Sequence, residues 1–282
     1  MAPTLTDVYR YPIKSARGER LTSAVVEPWG LAGDRRWMVV DGNGKVITAR
    51  EHPRLVLVGA LIGTTSIRLT GPHRADLVVP VPSGEQLLEV SIWRSTLPAS
   101  TTTPAADDWF SALLERPARL VYLDDPTRRA TNPAHSDPGD RVSFADGYPL
   151  LLVTAASLAA VNDLIARGTH AAEGPVSMMR FRPNVVIGDS AAWAEDTWRR
   201  VRIGSAVFNV AYGCARCVLT TIDPHTALKG KEPLATLARH RAWAGATWFG
   251  INLIPALSAV PGDQRPTAIR IGDDVEVLAR RE

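Results

Sequence analysis

Cysteine is almost missing from this chain: among 282 residues only Cys214 and Cys217 carry a thiol. Two thiols separated by two residues make no disulfide framework. They also fall short of the four ligands that a structural zinc site or a cysteine-held iron–sulfur cluster needs. Such scarcity suits a reducing interior. No uncharged apolar run reaches the roughly 18 residues of a membrane span. The opening MAPTLTDVYRYPIKS has no apolar segment of signal-peptide length. These absences together give the expectation of a cytoplasmic protein with no membrane span. Clustered bases are lacking too. The net charge is +3 and the pI about 9.1, but nowhere do five or six basic residues gather, so nucleic acid is not expected as a partner. A Rossmann glycine fingerprint for a nicotinamide or flavin is also missing.

What the chain does contain is a folded protein's share of apolar residues, 45%, with 22% charged. Its length allows one large or two modest domains. Short apolar segments separated by glycine and proline fill the first hundred residues. Leu21 to Val26, Arg36 to Val40, Val46 to Ala49, Leu55 to Leu61, Ser66 to Leu69 and Leu77 to Val81 read as strands. Asp41-Gly42-Asn43-Gly44 is a hairpin turn, because Asn and Gly tolerate the positive φ of tight turns. Ala105 to Leu114 reads as a helix and Leu120 to Leu123 as a strand, followed by a long polar loop from Asp124 to Asp140. Thr154 is placed to N-cap a helix. Asn184 to Ile187 and Val201 to Val210, the latter turned at Gly204, resume the strands. Lys231 to His240 forms a helix, and Ala268 to Ile271 with Val275 to Leu278 forms a terminal hairpin. The pattern predicts a mainly β fold with some α (α+β), a barrel or sandwich rather than a doubly wound sheet.

The chemistry concentrates in a few places. Cys214-Ala215-Arg216-Cys217 is a CxxC, open to three readings on its own. Zinc lacks ligands, since Asp223 and His225 do not complete a set. Dithiol exchange expects a helix after the pair, whereas VLTTI reads as strand. Plain burial of two small apolar side chains is the third. Arg216 tilts the balance, because a neighbouring guanidinium favours a thiolate, and thiolates bind soft or high-valent metals. Thr220 and Thr221 offer hydroxyls to orient a ligand. Lys14 and Ser15, just past Pro12, offer an ammonium and a hydroxyl to a phosphate. Arg35 and Arg36 face opposite ways if extended, and Arg50 adds a further guanidinium. Arg180, Arg182 and Asn184 share a side if that segment is extended, with Asp196 and Trp198 available to brace it. Each of these, taken alone, also reads as an ordinary surface or core residue.

Together the motifs resemble the MOSC superfamily and, more narrowly, the mitochondrial amidoxime-reducing components and their bacterial relatives. The resemblance runs through YPIKS, GLAGDRRWMVVD, the Thr48 to Leu55 stretch, RFRPNVVI, Asp196-Thr197-Trp198, CARCVLTTIDP, KGKEPLATL and IRIGDDVEV. It implies an N-terminal MOSC-associated β-rich domain (1–125) packed on a MOSC β-barrel domain (126–282). The cofactor implied is a molybdopterin-type molybdenum cofactor. Cys217 would be the metal ligand and, with Asp146, a catalytic residue. Lys14, Ser15, Arg35 and Arg182 would hold the cofactor's phosphate and pterin, joined by Arg50, Asn184 and Arg216. Gly147-Tyr148 and Ala215 stand where the mitochondrial form carries small hydroxyl residues. The implied activity is reduction of N-hydroxylated or related N/S-oxygenated small molecules. Two cysteines cannot hold an iron–sulfur cluster, so electrons would come from a separate ferredoxin or a cytochrome/flavoprotein-type partner. The alternative is a molybdenum-cofactor or sulfur carrier without turnover.

Overall fold

A computed structural model describes residues 2–256 and 267–281. Its largest element is a nine-stranded sheet. In spatial order it runs Val275–Arg280, Trp198–Ile203, Ala206–Ala215, Ala246–Pro255, Leu150–Thr154, Val185–Gly188, Thr4–Arg10, Glu19–Leu21, with Ala242–Trp243 hairpinned onto Ala246–Pro255. The chain's first two strands thus belong to a sheet otherwise built from residue 150 onward. The sheet curls, and the chain at Leu5 exchanges backbone hydrogen bonds with Gly272 and Asp273 beside the last strand. All pairings in it are antiparallel except Leu150–Thr154 with Val185–Gly188, which the helix Ala155–Ala166 connects, as a parallel crossover requires. A four-stranded sheet orders Trp37–Val40, Arg119–Tyr122, Ser95–Thr101 and Leu87–Ile92. Two three-stranded sheets complete the mixed, β-rich architecture.

Two strands show how alternation builds the interior. Trp37–Val40 is buried along its whole length. Trp37 and Val39 enter a core with Phe110 and Leu120, while Met38 and Val40 enter another with Val90 and Phe144. Leu150–Thr154 does the same: Leu150 and Leu152 pack on Phe208 and Leu253, and Leu151 and Val153 on Val161 and Phe181. Successive side chains point to opposite faces, so a strand covered on both sides reads as an unbroken apolar run. Thr154 caps the following helix, its hydroxyl accepting from Ser157 N.

Several sequence expectations change. Val46 to Ala49 is not a strand; it makes isolated ladder bonds to Ser91 and Val39. Pro53–Leu57 is a 3-10 turn, with the strand delayed to Gly59–Ile62, because Pro53 presets the first turn's φ and has no N–H to give a ladder. Asp124 to Asp140 is an ordered strap with turns at Pro126–Arg128 and Pro133–His135. The terminal hairpin is absent: Ala268–Arg270 pairs with Ser23–Glu27, and Val275–Arg280 with Trp198–Ile203. Gly272 N donates to Leu5 O, so the intervening turn steps between two sheets instead of folding back on one. Gly204, at φ 55, does turn Trp198–Ile203 into Ala206–Ala215.

Candidate functional site

Loops from both halves of the chain converge on one cleft of about 120 Å³. Lys14, Ser15, Arg35, Arg50, Asp146, Arg182, Asn184, Arg216 and Cys217 all line it. Three of them, Ser15 (φ 68), Arg35 (φ 47) and Arg182 (φ 57), sit in the left-handed region. Non-glycine residues rarely adopt it, at a cost of order 1–3 kcal/mol each, and such strain clusters at functional sites.

Lys14 follows the first strand and is only 6% exposed. Its Nζ donates to Asp146 Oδ1 at 2.5 Å and to Phe144 O at 2.9 Å. Burial lowers its pKa from 10.5 to about 8 against the opposing pull of Asp146. Asp146 keeps 68% of its side chain open to solvent inside the cleft. What burial it has would raise its carboxyl, but the Lys14 charge and hydrogen bond, then Arg50 and Arg35, hold it well below the usual range. The pair is therefore ammonium and carboxylate at neutral pH.

Arg35 and Arg182 lie against one phenol. Each guanidinium is 4.3 Å from the centre of the fully buried Tyr11 ring. Arg35 Nη1 donates to Asp34 Oδ2 and to Asn184 Oδ1, and Arg182 Nη1 to Ala16 O. Asn184 spends all its polar atoms on the scaffold: its Oδ1 also accepts from Leu151 N, and its Nδ2 donates to Tyr9 O. Burial brings Arg182 down to about 10, still protonated at neutral pH.

The thiols differ from expectation. Arg216 Nη1 donates to Cys214 Sγ at 2.9 Å and its Nη2 to Phe181 O. It therefore serves Cys214 and not Cys217: Arg216 directly follows the strand Ala206–Ala215 and its N still donates to Thr247 O, so the extended alternation carries on to it and residues two apart share a side. Burial pushes the Cys214 thiol up, with Arg216 opposing. Cys217 heads a 3-10 turn, Val218–Thr221, where a strand was expected. It is partly exposed, and both thiols are free. The Thr220 and Thr221 hydroxyls donate to the carbonyls of Cys217 and Val218, so they tighten this turn instead of offering ligands.

Two expected neighbours lie elsewhere. Met178–Arg180 is a helical turn followed by left-handed Arg182, so the segment is not extended. Arg180 leaves the cleft and donates to Thr221 O and Asp223 Oδ2, holding the end of the cysteine loop. Asp196 pairs with Arg241, and Trp198 is buried in its strand; neither braces the cleft arginines. Conversely, sequence reading missed Arg129 and Trp93. Arg129, 4% exposed, donates to the carbonyls of Ser143, Ala145 and Asp146, and burial lowers it to about 10. It fixes the backbone that carries Asp146, from a strap with no periodicity to reveal it. Trp93 donates from Nε1 to Asp146 Oδ1 at 3.3 Å and stacks on Arg50. Its hairpin tip carries no sequence signal of a site.

The charge balance says what fits. Lys14, Arg35, Arg50, Arg129, Arg182 and Arg216 surround the cleft, with Asp34 and Asp146 as the carboxylates beside them. Partly desolvated cations in such excess call for an anion. Guanidinium forks and a lysine are the groups that recognise phosphate. Arg216, which lines the cleft, keeps a buried Nε without a protein partner among the described residues. Among the described residues no cluster of three His, Cys, Asp or Glu could hold a metal. A metal at Cys217 would accordingly draw its other ligands from a cofactor. A thiolate-ligated metal carried by an anionic organic group fits this donor set.

Two family models match the chain. Residues 2–117 match the MOSC N-terminal beta barrel domain and residues 139–276 the MOSC domain. Mitochondrial amidoxime-reducing component 1 of Mus musculus is 30% identical over 98% of this chain and 83% of its own length. The Homo sapiens protein of that name is 29% identical with the same coverage. Mitochondrial amidoxime reducing component 2 of Rattus norvegicus is 31% identical over 96% of this chain and 82% of its own. These names overturn the expectation of a cytoplasmic protein, since the relatives are called mitochondrial. No described helix is long and apolar enough to cross a membrane. The chain belongs to the MOSC-domain superfamily and is homologous to its amidoxime-reducing components.

Proposed function

We propose that this protein is a molybdenum-cofactor-dependent reductase of N-hydroxylated and related N/S-oxygenated small molecules. The observation that carries the reading is the convergence of a partly exposed Cys217 with Lys14, Arg35, Arg50 and Arg182 on one cleft. The site would sit at the seam of two units, 1–125 and 126–282. A separate electron-transfer protein, of ferredoxin or cytochrome/flavoprotein type, would supply the electrons.

Cys217 would ligate the metal. Lys14, Arg35 and Arg182, with Ser15 beside them, would hold the anionic and polar groups of the pterin, and Arg50 would line the open side. When bound, the cofactor supplies two-electron oxygen-transfer chemistry that no side chain here possesses. Reduction of an N-hydroxyl group breaks the N–O bond, uses two electrons and two protons, and releases water. Asp146 is ionised, and Lys14 and Trp93 both donate to its Oδ1. Oδ2 is therefore the atom left to accept a hydrogen bond from a substrate N–H or O–H and to orient it. Arg129 keeps that carboxylate in place through the backbone.

The test is molybdenum analysis joined to reduction of benzamidoxime with reduced methyl viologen as donor. Near-stoichiometric molybdenum with turnover is the expected result. Molybdenum without turnover would make the protein a carrier, and loss of neither on replacing Cys217 by serine would remove the assigned ligand.

A further inference from the structure

Beyond the cleft lies a second concave volume of about 190 Å³, whose walls include Lys45, Thr48, Arg50, Glu51, Ser91 and Trp93. Thr48, Arg50 and Trp93 also line the main cleft, so the indole and the guanidinium form a partition between the two spaces. Trp93 occupies an unusual place. It stands at the two-residue tip between Leu87–Ile92 and Ser95–Thr101, where Ser95 pairs with Ile92. Its φ is 53, a conformation that hairpin tips normally assign to Gly or Asn. Despite its size it is 46% exposed. A bulky, half-exposed residue held in a strained turn, with Arg50 at 4.2 Å and Lys14 at 5.3 Å from its ring centre, points to use of the ring in polar contacts and not to core packing.

Among the described residues, the cations of the chamber wall, Lys45 and Arg50, are not neutralised by ion pairs. Arg50 lies 4.2 Å from the ring centre, and among the described residues it has no carboxylate within ion-pair distance and no side-chain hydrogen bond. Lys45 likewise has no ion-pair partner there. Glu51 is the opposing charge and pairs with neither, so the chamber has a net positive wall. Nothing in the cofactor reading uses Lys45, Ser91 or this volume.

We propose that the chamber is a distal substrate subsite that favours aromatic N-oxygenated compounds bearing an anionic substituent. The ring would lie along Trp93 and the anion between Lys45 and Arg50, with the N–O group reaching past the partition toward Asp146. Trp93 donates to Asp146, so a molecule seated on the indole lies beside the carboxylate assigned to the reacting end. This subsite rests on the reductase reading above. The same chemistry, a planar group with an anion, also describes a nucleotide attached to the pterin, and the experiment separates the two sources.

The probes are benzamidoxime and 4-carboxybenzamidoxime, assayed by kcat/KM with reduced methyl viologen. Calorimetric binding of the products, benzamidine and 4-carboxybenzamidine, gives a readout independent of turnover. Reversing one charge beside an exposed anion at about 6 Å changes its relative affinity on the order of tenfold. Lys45→Glu should therefore lower the carboxylate-to-neutral ratio about tenfold in both measurements. Ser91→Asp, which adds a negative charge to another wall, should move it in the same direction. Lys229→Glu, an equal charge change outside the chamber, should leave it alone. A ratio that is the same in all four proteins would overturn the subsite while benzamidoxime turnover upheld the reductase. If the wild type reduces neither compound, the reductase reading fails and the calorimetric ratios still decide the subsite. A pterin released with a nucleotide that Lys45→Glu fails to retain would give the chamber to the cofactor and also overturn the proposal.

Discussion

Replacing Lys14 by methionine isolates what one buried cation does in this cleft. Methionine matches the apolar stem of the side chain and removes the ammonium. The fold loses a hydrogen bond to Phe144 O, and a buried carbonyl left unpaired costs about 1–3 kcal/mol. The ion pair to Asp146 adds little to that, because the carboxylate is 68% exposed and water replaces its partner; exposed pairs contribute about 0–1 kcal/mol. Relief from burying a charge works in the other direction, so the net destabilisation should stay within about 2 kcal/mol. The effect on a bound anion is larger. A unit charge about 6 Å away at an effective dielectric near 20 is worth roughly 3 kcal/mol, or about a hundredfold in affinity, and an unneutralised Asp146 adds repulsion. Pyrophosphate binding to cofactor-free protein, by calorimetry at low salt, should fall by about that factor while the melting temperature moves by only a few degrees. Unchanged binding together with an unchanged melting curve would refute the assignment of Lys14 as an anion anchor.

The Lys14 pKa near 8 also gives a pH dependence. A bound anion holds the proton on, so pyrophosphate affinity should be steady below about pH 8 and decline above it; a flat profile to pH 9.5 would count against the lysine. For folding the sign is opposite. The unfolded chain, with Lys14 near 10.5, binds more protons between about 8 and 10.5, so this residue's unfavourable contribution is relieved as pH rises through that window. Cys217→Ser should abolish molybdenum retention, whereas Cys214→Ser, which loses a thiol already bonded to Arg216, should retain most of it; metal analysis after desalting compares them. Arg182→Ala and Arg182→Gly should both weaken anion binding, yet the glycine variant should be the more stable by about 1 kcal/mol, because glycine relieves the left-handed backbone at φ 57. Equal denaturation midpoints for the two would show that no strain resides there.

The composition and motifs by themselves determined a good deal. The apolar run from Arg36 to Val40 marks a strand, Thr154 marks a helix start, and the scarcity of thiols confined any soft-metal chemistry to Cys214 or Cys217. That LLLVT is also a strand, buried on both faces, emerged only from the structure. The spaced motifs named the family and nine residues that line one cleft. Which partners those residues take was decided only by tertiary structure. Arg216 looks adjacent to Cys217 in sequence, but strand alternation turns it toward Cys214. Arg180 and Arg182 look equivalent until a helical turn and a left-handed residue send them to different sites. Arg129 and Trp93 come from a strap and a hairpin tip, where no periodicity betrays a direction; they reach Asp146 because distant segments cross there. Local sequence carries periodicity and turn chemistry, which act between near neighbours. The chain alone does not encode in any short window where loops 50 to 130 residues apart will meet; long-range packing does that.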